Sequence, residues 1–277
     1  MSSKFSDLPL QIVQSMMTIE TIHEFKEIPR PNFMYNVVIS GCIGAGKSTC
    51  LDMMAYLLEQ TGKPVNSLPE FVNMHLGIDI LKERIEDKIS CLTFQSFILD
   101  RYLQNELSKN KINLLERLPD ESVLCFCLEN FISGQITEDE LNVLWKKAGR
   151  IDKEKEFPSY REKHVVTIIE KTDINEILQE IGKNMRRDIK HHASKEPLTH
   201  IFMLRIDSEL SIQRVLFRDR DGEKYYTPEY ITRICEIYNR LIEKLCDERE
   251  STPVDEWFFK IAYLMKRDLC IMPGAEK

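Results

Sequence analysis

Apolar positions in this chain alternate between short continuous runs and stretches where they recur at helical spacing. The clearest run, Asn36–Ser40, reads as a buried strand that passes into a glycine-rich turn. A helix beginning Cys50-Leu51-Asp52-Met53-Met54 follows. A second short strand, Val65–Pro69, leads to Glu70, and Ile78–Arg84 and Ile89–Leu107 read as helices. Ile112–Arg117 is the next strand, whereas Val123–Asn130 is apolar enough for either a buried helix or a strand. Val165–Ile169 is equally ambiguous, and Asp173–Lys190 is helical with a possible Asp173-x-x-Glu176 capping box. Ile201–Ile206 is a buried strand, with Asp207 or Ser208 as cap of the helix after it. Thr227-Pro228-Glu229 opens a further helix to Cys246, and Trp257-Phe258-Phe259 packs the tail back on the core.

The organisation expected from this pattern is a single domain over residues 35–277, preceded by an extension, residues 1–34. The extension carries a helix near Leu10–Phe25 and a break at Pro29-Arg30-Pro31. Residues 146–197 look like an atypical insertion, and within them the charge-dense Arg150–Lys163 reads as a solvated loop.

Composition narrows the class. Of 277 residues 43% are apolar and 30% charged, which describes a globular chain able to bury a large core. The net charge of −7 and the lack of a basic tract argue against nucleic acid as partner. No apolar run approaches the roughly 18 residues of a membrane span, so no membrane partner is expected. Eight cysteines without CxxC spacing read as reduced thiols, which points to a cytoplasmic location. His191, His192 and His200 read as exposed loop histidines, because no cysteine or carboxylate cluster accompanies them.

The chemistry is concentrated in Gly41-Cys42-Ile43-Gly44-Ala45-Gly46-Lys47-Ser48-Thr49. This is GxxxxGK[ST] between a strand and a helix, the context a phosphate-binding P-loop requires. The glycines let the chain curl with its N–H groups inward, and the helix N-terminus adds partial positive charge. Lys47 would reach the β- and γ-phosphates of ATP, and the Ser48 hydroxyl would ligate Mg²⁺. Glu70 stands at a strand end, on the sheet edge where parallel folds bind ligands. Either Glu116 or Glu129 could be the metal-side carboxylate. Glu116 is favoured because Arg117 beside it supplies a clamp. Gln95 is either a surface position or an amide that reads a base edge. Arg214 and Arg218 share a helix face, with Arg220 just beyond, and three arginines there suit a transferring phosphate.

These features together resemble the deoxynucleoside kinase family: GCIGAGKST, Pro-Glu after the second strand, FQSF on a helix, LLER on the third strand and RVLFRDRDGE after the fourth. The resemblance implies an α/β P-loop NTPase fold, a parallel five-stranded sheet flanked by helices with an arginine-bearing lid, and a homodimer. It implies that Glu70 accepts the 5′-hydroxyl proton, Arg117 holds that hydroxyl and Glu116 sits on the Mg²⁺ side. Gln95 would bond the nucleobase and Phe126 would stack on it. Arg214, Arg218 and Arg220 would be the lid arginines, with Glu223 on the sugar 3′-hydroxyl. The chain departs from the family pattern at Leu118-Pro119, where a small hydroxyl residue is usual. It also lacks a tyrosine near Lys82-Glu83-Arg84 and a fifth strand near Pro253-Val254. Aligning Glu129-Asn130 with the family requires a one-residue gap after Pro119.

Ile98 and Tyr102 follow Gln95 on one helix face, and Tyr102 stands where cytidine- and purine-accepting relatives often place an arginine. The acid that would partner such an arginine falls at Ser122 or Val123, neither of them a carboxylate. A deoxynucleoside kinase using ATP, with a pyrimidine and preferably thymidine as acceptor, is the expected activity. A thymidylate-like monophosphate kinase and a nucleotide-dependent switch or scaffold are the alternatives.

Overall fold

The computed structural model describes residues 16–68, 77–162, 164–218, 226–246 and 254–270. Tyr35–Gly41 (β1) is buried along its whole length, which is why this run holds no charged residue. It lies at the centre of a parallel five-stranded sheet with Val65–Leu68 (β2), Ile112–Glu116 (β3), Val165–Ile169 (β4) and Leu198–Leu204 (β5). The strand order is β2-β3-β1-β5-β4. Ile39 stands opposite Glu116 on one side and Phe202 on the other. The sheet therefore brings the end of β3 level with the end of β1.

Parallel ladders need something to fix their register, and here a row of polar side chains does so. Asn66 Nδ2 donates to Asn113 Oδ1 at 2.8 Å, and Asn113 Nδ2 donates to Asn36 Oδ1 at 2.8 Å. Asn36 Nδ2 donates to Thr199 Oγ1 at 3.2 Å. These residues are register partners across β2, β3, β1 and β5, so a slip of one residue would orphan buried amides.

Contacts divide the chain into two compact units. The first holds the sheet, with helices α1 (Ile19–Lys26) and α2 (Lys47–Gln60) and, numbered below in chain order, α8 (Ile174–His191). Asp173 caps α8, its carboxylate accepting from the N–H groups of Asn175 and Glu176. In the second unit α3 (Gly77–Ile85) precedes α4 (Cys91–Tyr102). A helical run then passes from α5 (Pro119–Glu121) through a π-helix, Ser122–Cys127, into α6 (Leu128–Ile132). The unit also contains α7 (Glu138–Lys155), α9 (Ser208–Arg218), α10 (Pro228–Cys246) and α11 (Val254–Cys270). Among the described residues no helix is long and apolar enough to cross a membrane.

The structure narrows some sequence expectations and corrects others. Val254 opens a helix, in keeping with the lack of a strand signal there, and the fifth strand is Val165–Ile169, a segment the sequence leaves open between strand and helix. As an edge strand β4 is only partly buried, so its apolar signal is weak. Residues 146–197 contribute this strand and α8 to the sheet unit. Arg150–Lys163 is not one solvated loop. Helix α7 runs on to Lys155, and Phe157–Tyr160 are buried, with Ser159 Oγ and Tyr160 N both donating to Asp120 Oδ2 at 2.6 Å. His200 is a fully buried β5 residue. Val123–Asn130 is helical, and Asp207 rather than Ser208 caps α9, accepting from Leu210 N at 2.8 Å. Of the Leu10–Phe25 helix, the described part begins at Ile19; residues 1–15 lie outside the described residues.

Candidate active site

Two glycines shape the P-loop at backbone conformations where a side chain would be strained. At Gly41 φ is +137°, and a Cβ there would meet the Leu204 carbonyl oxygen at 2.5 Å. Gly46, at φ 95°, is the residue from which α2 starts. That helix has no side-chain cap and no acidic residue in its first turn, so nothing within the helix itself offsets its partial positive charge. Cys42, Ile43, Ala45 and Lys47 are buried, while Gly44 turns at φ 77°. Lys47 Nζ donates to the Cys42 carbonyl at 2.7 Å and lies 3.9 Å from Glu116 Oε1. The lysine thus rests on the loop's own backbone. Cys50, one turn into the helix, is pushed up in pKa by burial and then by the Glu116 charge, which keeps it a protonated packing residue.

Glu116 ends β3 and is buried, and Ser48 Oγ donates to its Oε2 at 2.9 Å. A hydroxyl and a carboxylate side by side are oxygen donors of the kind a hard divalent cation takes. Arg117 follows with φ 65°, a left-handed conformation uncommon for a side chain of this size. Its N–H still reaches Ile39 O at 3.3 Å, so the ladder ends and the chain turns at this residue. The turn buries the guanidinium, with Nη2 3.4 Å from the Gly41 carbonyl and Nη1 3.8 Å from Glu116 Oε1. Lys47, Ser48, Glu116 and Arg117 therefore form one cluster at the mouth of the loop. Glu129 belongs elsewhere, to the other unit, where Arg233 donates to it.

In the second unit, Cys91, Phe94, Gln95, Ile98 and Leu99 form the buried stripe of α4, at helical spacing. Gln95 is thus an interior residue, which removes the surface alternative. Its Nε2 donates to Asn130 Oδ1 at 3.3 Å, and its Oε1 is buried without a hydrogen-bond partner. A buried acceptor left open in this way calls for an explanation, and a ligand donor is one. Ile98 is buried beside it, and Tyr102 ends the helix half-buried, edge-on to Phe157 at 6.0 Å. Phe126 sits on the π-helix, half-exposed between buried Cys125 and Cys127, its ring edge-on to Tyr238 at 6.4 Å. Arg214 and Arg218 are half-buried on α9, on the side of Ser211 and Val215. Glu70, Arg220 and Glu223 lie outside the described residues.

Three features were not singled out from the sequence: in the first unit the left-handed Arg117, and in the second unit Asn130 as partner of Gln95, with Arg233 behind Asn130's neighbour Glu129. The first two carried no local signal. Arg233 shows only as one charge on an amphipathic helix.

A central strand, a glycine loop with positive φ values and a lysine at a helix start define a P-loop nucleotide-binding fold. The deoxynucleoside kinase family model matches residues 37–190, more than half of the chain, and the protein belongs to that family. It is a kinase that transfers a phosphoryl group to a nucleoside. Solved structures of a deoxyadenosine kinase from M. mycoides are among its structural neighbours. The form with bound dATP has 14% identity and a TM-score of 0.46, over 85% of this chain and 99% of that one. The form with bound dCTP has 16% identity and a TM-score of 0.46, over 76% and 84%. No curated protein matches the chain.

Proposed function

We propose that this kinase transfers the γ-phosphate of ATP to the 5′-hydroxyl of a pyrimidine deoxynucleoside, with thymidine the preferred acceptor. The observation that carries the choice of base is Gln95, whose buried amide oxygen is open on the same stripe as Ile98. Ile98 and Tyr102 narrow the space along that helix face, which suits a single ring, and Phe126 would stack on it.

In the reaction Glu70 takes the 5′-hydroxyl proton while Arg117 holds that oxygen. The oxygen forms its bond to the γ-phosphorus as the bond to the β,γ-bridging oxygen breaks, and ADP leaves. Lys47 exchanges the Cys42 carbonyl for phosphate oxygens, so it gains contacts without moving far. The P-loop backbone from Gly41 to Thr49 holds the phosphates. Arg214, Arg218 and Arg220 neutralise the charge on the transferred group, with water excluded as the lid closes. Glu223 holds the 3′-hydroxyl. Ser48 Oγ and Glu116 would hold Mg²⁺, and their adjacency fits it; the ion supplies charge compensation to the phosphates. The expected assembly is a homodimer. Cys42, Cys50, Cys91, Cys125, Cys127 and Cys235 are free thiols, which favours a reducing, cytoplasmic location.

The test is incubation with γ-labelled ATP and Mg²⁺, first with the four deoxynucleosides and then with their monophosphates. Label in thymidine 5′-monophosphate is the expected product. Label transferred only to monophosphates would replace this reading with a monophosphate kinase.

A further inference from the structure

Four side chains of the second unit pass a hydrogen-bond polarity from an arginine to the Gln95 amide. Arg233 donates to Glu129 Oε1 through Nε at 3.0 Å and Nη2 at 2.9 Å. The other oxygen, Glu129 Oε2, accepts from Asn130 Nδ2 at 3.2 Å. Asn130 Oδ1 then accepts from Gln95 Nε2 at 3.3 Å, and the Cys91 thiol donates to the same oxygen. Glu129 and Asn130 are both buried, so water does not compete for these bonds. The chain ends at Gln95 Oε1, which is buried and open.

A guanidinium can only donate, and an ionised carboxylate can only accept. Asn130 must therefore turn its NH₂ to Glu129 and its oxygen to Gln95. Gln95 in turn must give its NH₂ to Asn130, leaving its oxygen free. A solitary glutamine amide can present either end. Here a flip would set two carbonyl oxygens face to face in a dry site, losing one hydrogen bond and adding repulsion.

We infer that Arg233, Glu129 and Asn130 are positioning residues that fix which end of the Gln95 amide meets the nucleobase, and so separate keto from amino bases. This rests on the reading that Gln95 contacts the base. Thymine and guanine offer a carbonyl beside a ring N–H. Cytosine and adenine offer an amino group beside a ring nitrogen, the opposite order of donor and acceptor. An amide pairs in both positions with one order or the other, never both in the same orientation. The second hydrogen of Gln95 Nε2 and the open Oε1 supply that donor–acceptor pair. With thymidine as acceptor, the locked orientation is the keto one. Ring size is a separate matter, set by bulk along α4.

The experiment measures kcat/KM for thymidine, deoxycytidine, deoxyguanosine and deoxyadenosine with wild type, Glu129→Gln and Arg233→Lys. Glu129→Gln keeps the shape, but its amide can donate or accept, so the polarity is no longer dictated. Lysine at 233 is still a pure donor. Wild type is expected to favour thymidine over deoxycytidine, and deoxyguanosine over deoxyadenosine, by about tenfold or more, the scale of one mispaired buried hydrogen bond. Glu129→Gln should bring both ratios to within about threefold of unity, while Arg233→Lys keeps them. Unchanged ratios in a folded Glu129→Gln variant would overturn the inference whatever happens to total activity, as would wild-type ratios near unity. If that variant does not fold, Arg233→Met decides. Burial already raises the Glu129 carboxyl, and losing the arginine lets it take a proton and donate. Levelled ratios uphold the relay and unchanged ones overturn it. A wild-type preference for purines would overturn only the pyrimidine reading, because each ratio compares bases of equal ring size.

Discussion

Two buried polar clusters lie toward opposite ends of β1 and differ in the respects that matter for function. Toward the start of β1, Tyr35 OH donates to Asp188 Oδ2 at 2.7 Å, and His200 Nδ1 shares that oxygen at 2.5 Å. His200 Nε2 meets Thr167 Oγ1 at 2.7 Å, so both ring nitrogens are engaged. Burial would raise the Asp188 pKa, but His200 and Tyr35 outweigh it and hold the group below its usual value. Beyond the end of β1, the second cluster joins Lys47, Ser48, Glu116 and Arg117 with left-handed backbone at Gly44, Gly46 and Arg117. A non-glycine residue held in that region costs on the order of 1–3 kcal/mol. The first cluster closes on itself with no such residue, whereas the second spends its lysine on a loop carbonyl that a phosphate can displace. Burial and pairing alone therefore do not mark a working site. Strain together with exchangeable donors does.

Substitutions should separate the two clusters by which property they change. Glu70→Gln keeps size and hydrogen bonding but cannot take a proton, so kcat should fall roughly 10²–10⁴-fold with nucleoside binding little altered. An unchanged kcat would move the base elsewhere, Glu116 being the next to test. Lys47→Ala should lose about 10²-fold or more of the transfer rate at an unchanged fold, since a charge on the γ-phosphate disappears from a dry site. Retention of more than about a tenth of the rate would remove Lys47 from the chemistry. Tyr35→Phe should do the reverse. Chemical denaturation should show a loss of roughly 1.5–3 kcal/mol, the scale of a hydrogen bond to a charged group, with kcat/KM within about twofold of wild type. A large fall in activity at normal stability would dissolve the distinction.

The smallest effect concerns a third cluster, in the second unit. Asp120 and Asp152 share Arg161, and burial raises both carboxyls, each further raised by its acidic neighbour and lowered by the arginine. The folded pair keeps a proton that the unfolded chain releases above about pH 4. Its stabilisation is therefore full at low pH and lost as pH rises through the raised values. Asp152→Asn should flatten the decline in melting temperature between about pH 5 and about pH 8. An equally steep decline would place its origin in other groups.

What was legible in the sequence was local. The P-loop, β1 and β3 could be read because a glycine motif and continuous apolar runs lie within a few residues of one another. The choice of Glu116 over Glu129 rested on its neighbour Arg117, and the structure sets Glu116 beside Ser48. Long-range pairs were not legible: nothing local ties Gln95 to Asn130 or Tyr35 to Asp188. Residues 150–155 were misread because charges on one face of a helix look like a solvated loop when the buried Ile151 and Asp152 between them are overlooked. The one-residue gap after Pro119 falls close to the π-helix Ser122–Cys127, whose turn takes one residue more than an α-turn and can absorb an insertion.

The central claim is that Lys47 leaves the Cys42 carbonyl for a triphosphate, while the Tyr35–Asp188–His200 cluster serves only the fold. ATP binding measured as a shift in melting temperature, on wild type, Lys47→Ala and Tyr35→Phe, tests it without depending on turnover. At 100 times its Kd, ATP should stabilise wild type by about 2.7 kcal/mol. Tyr35→Phe should melt lower but show the same ATP-induced shift, and Lys47→Ala should melt like wild type and show little shift. An undiminished shift in Lys47→Ala, or its loss in Tyr35→Phe, would contradict the account.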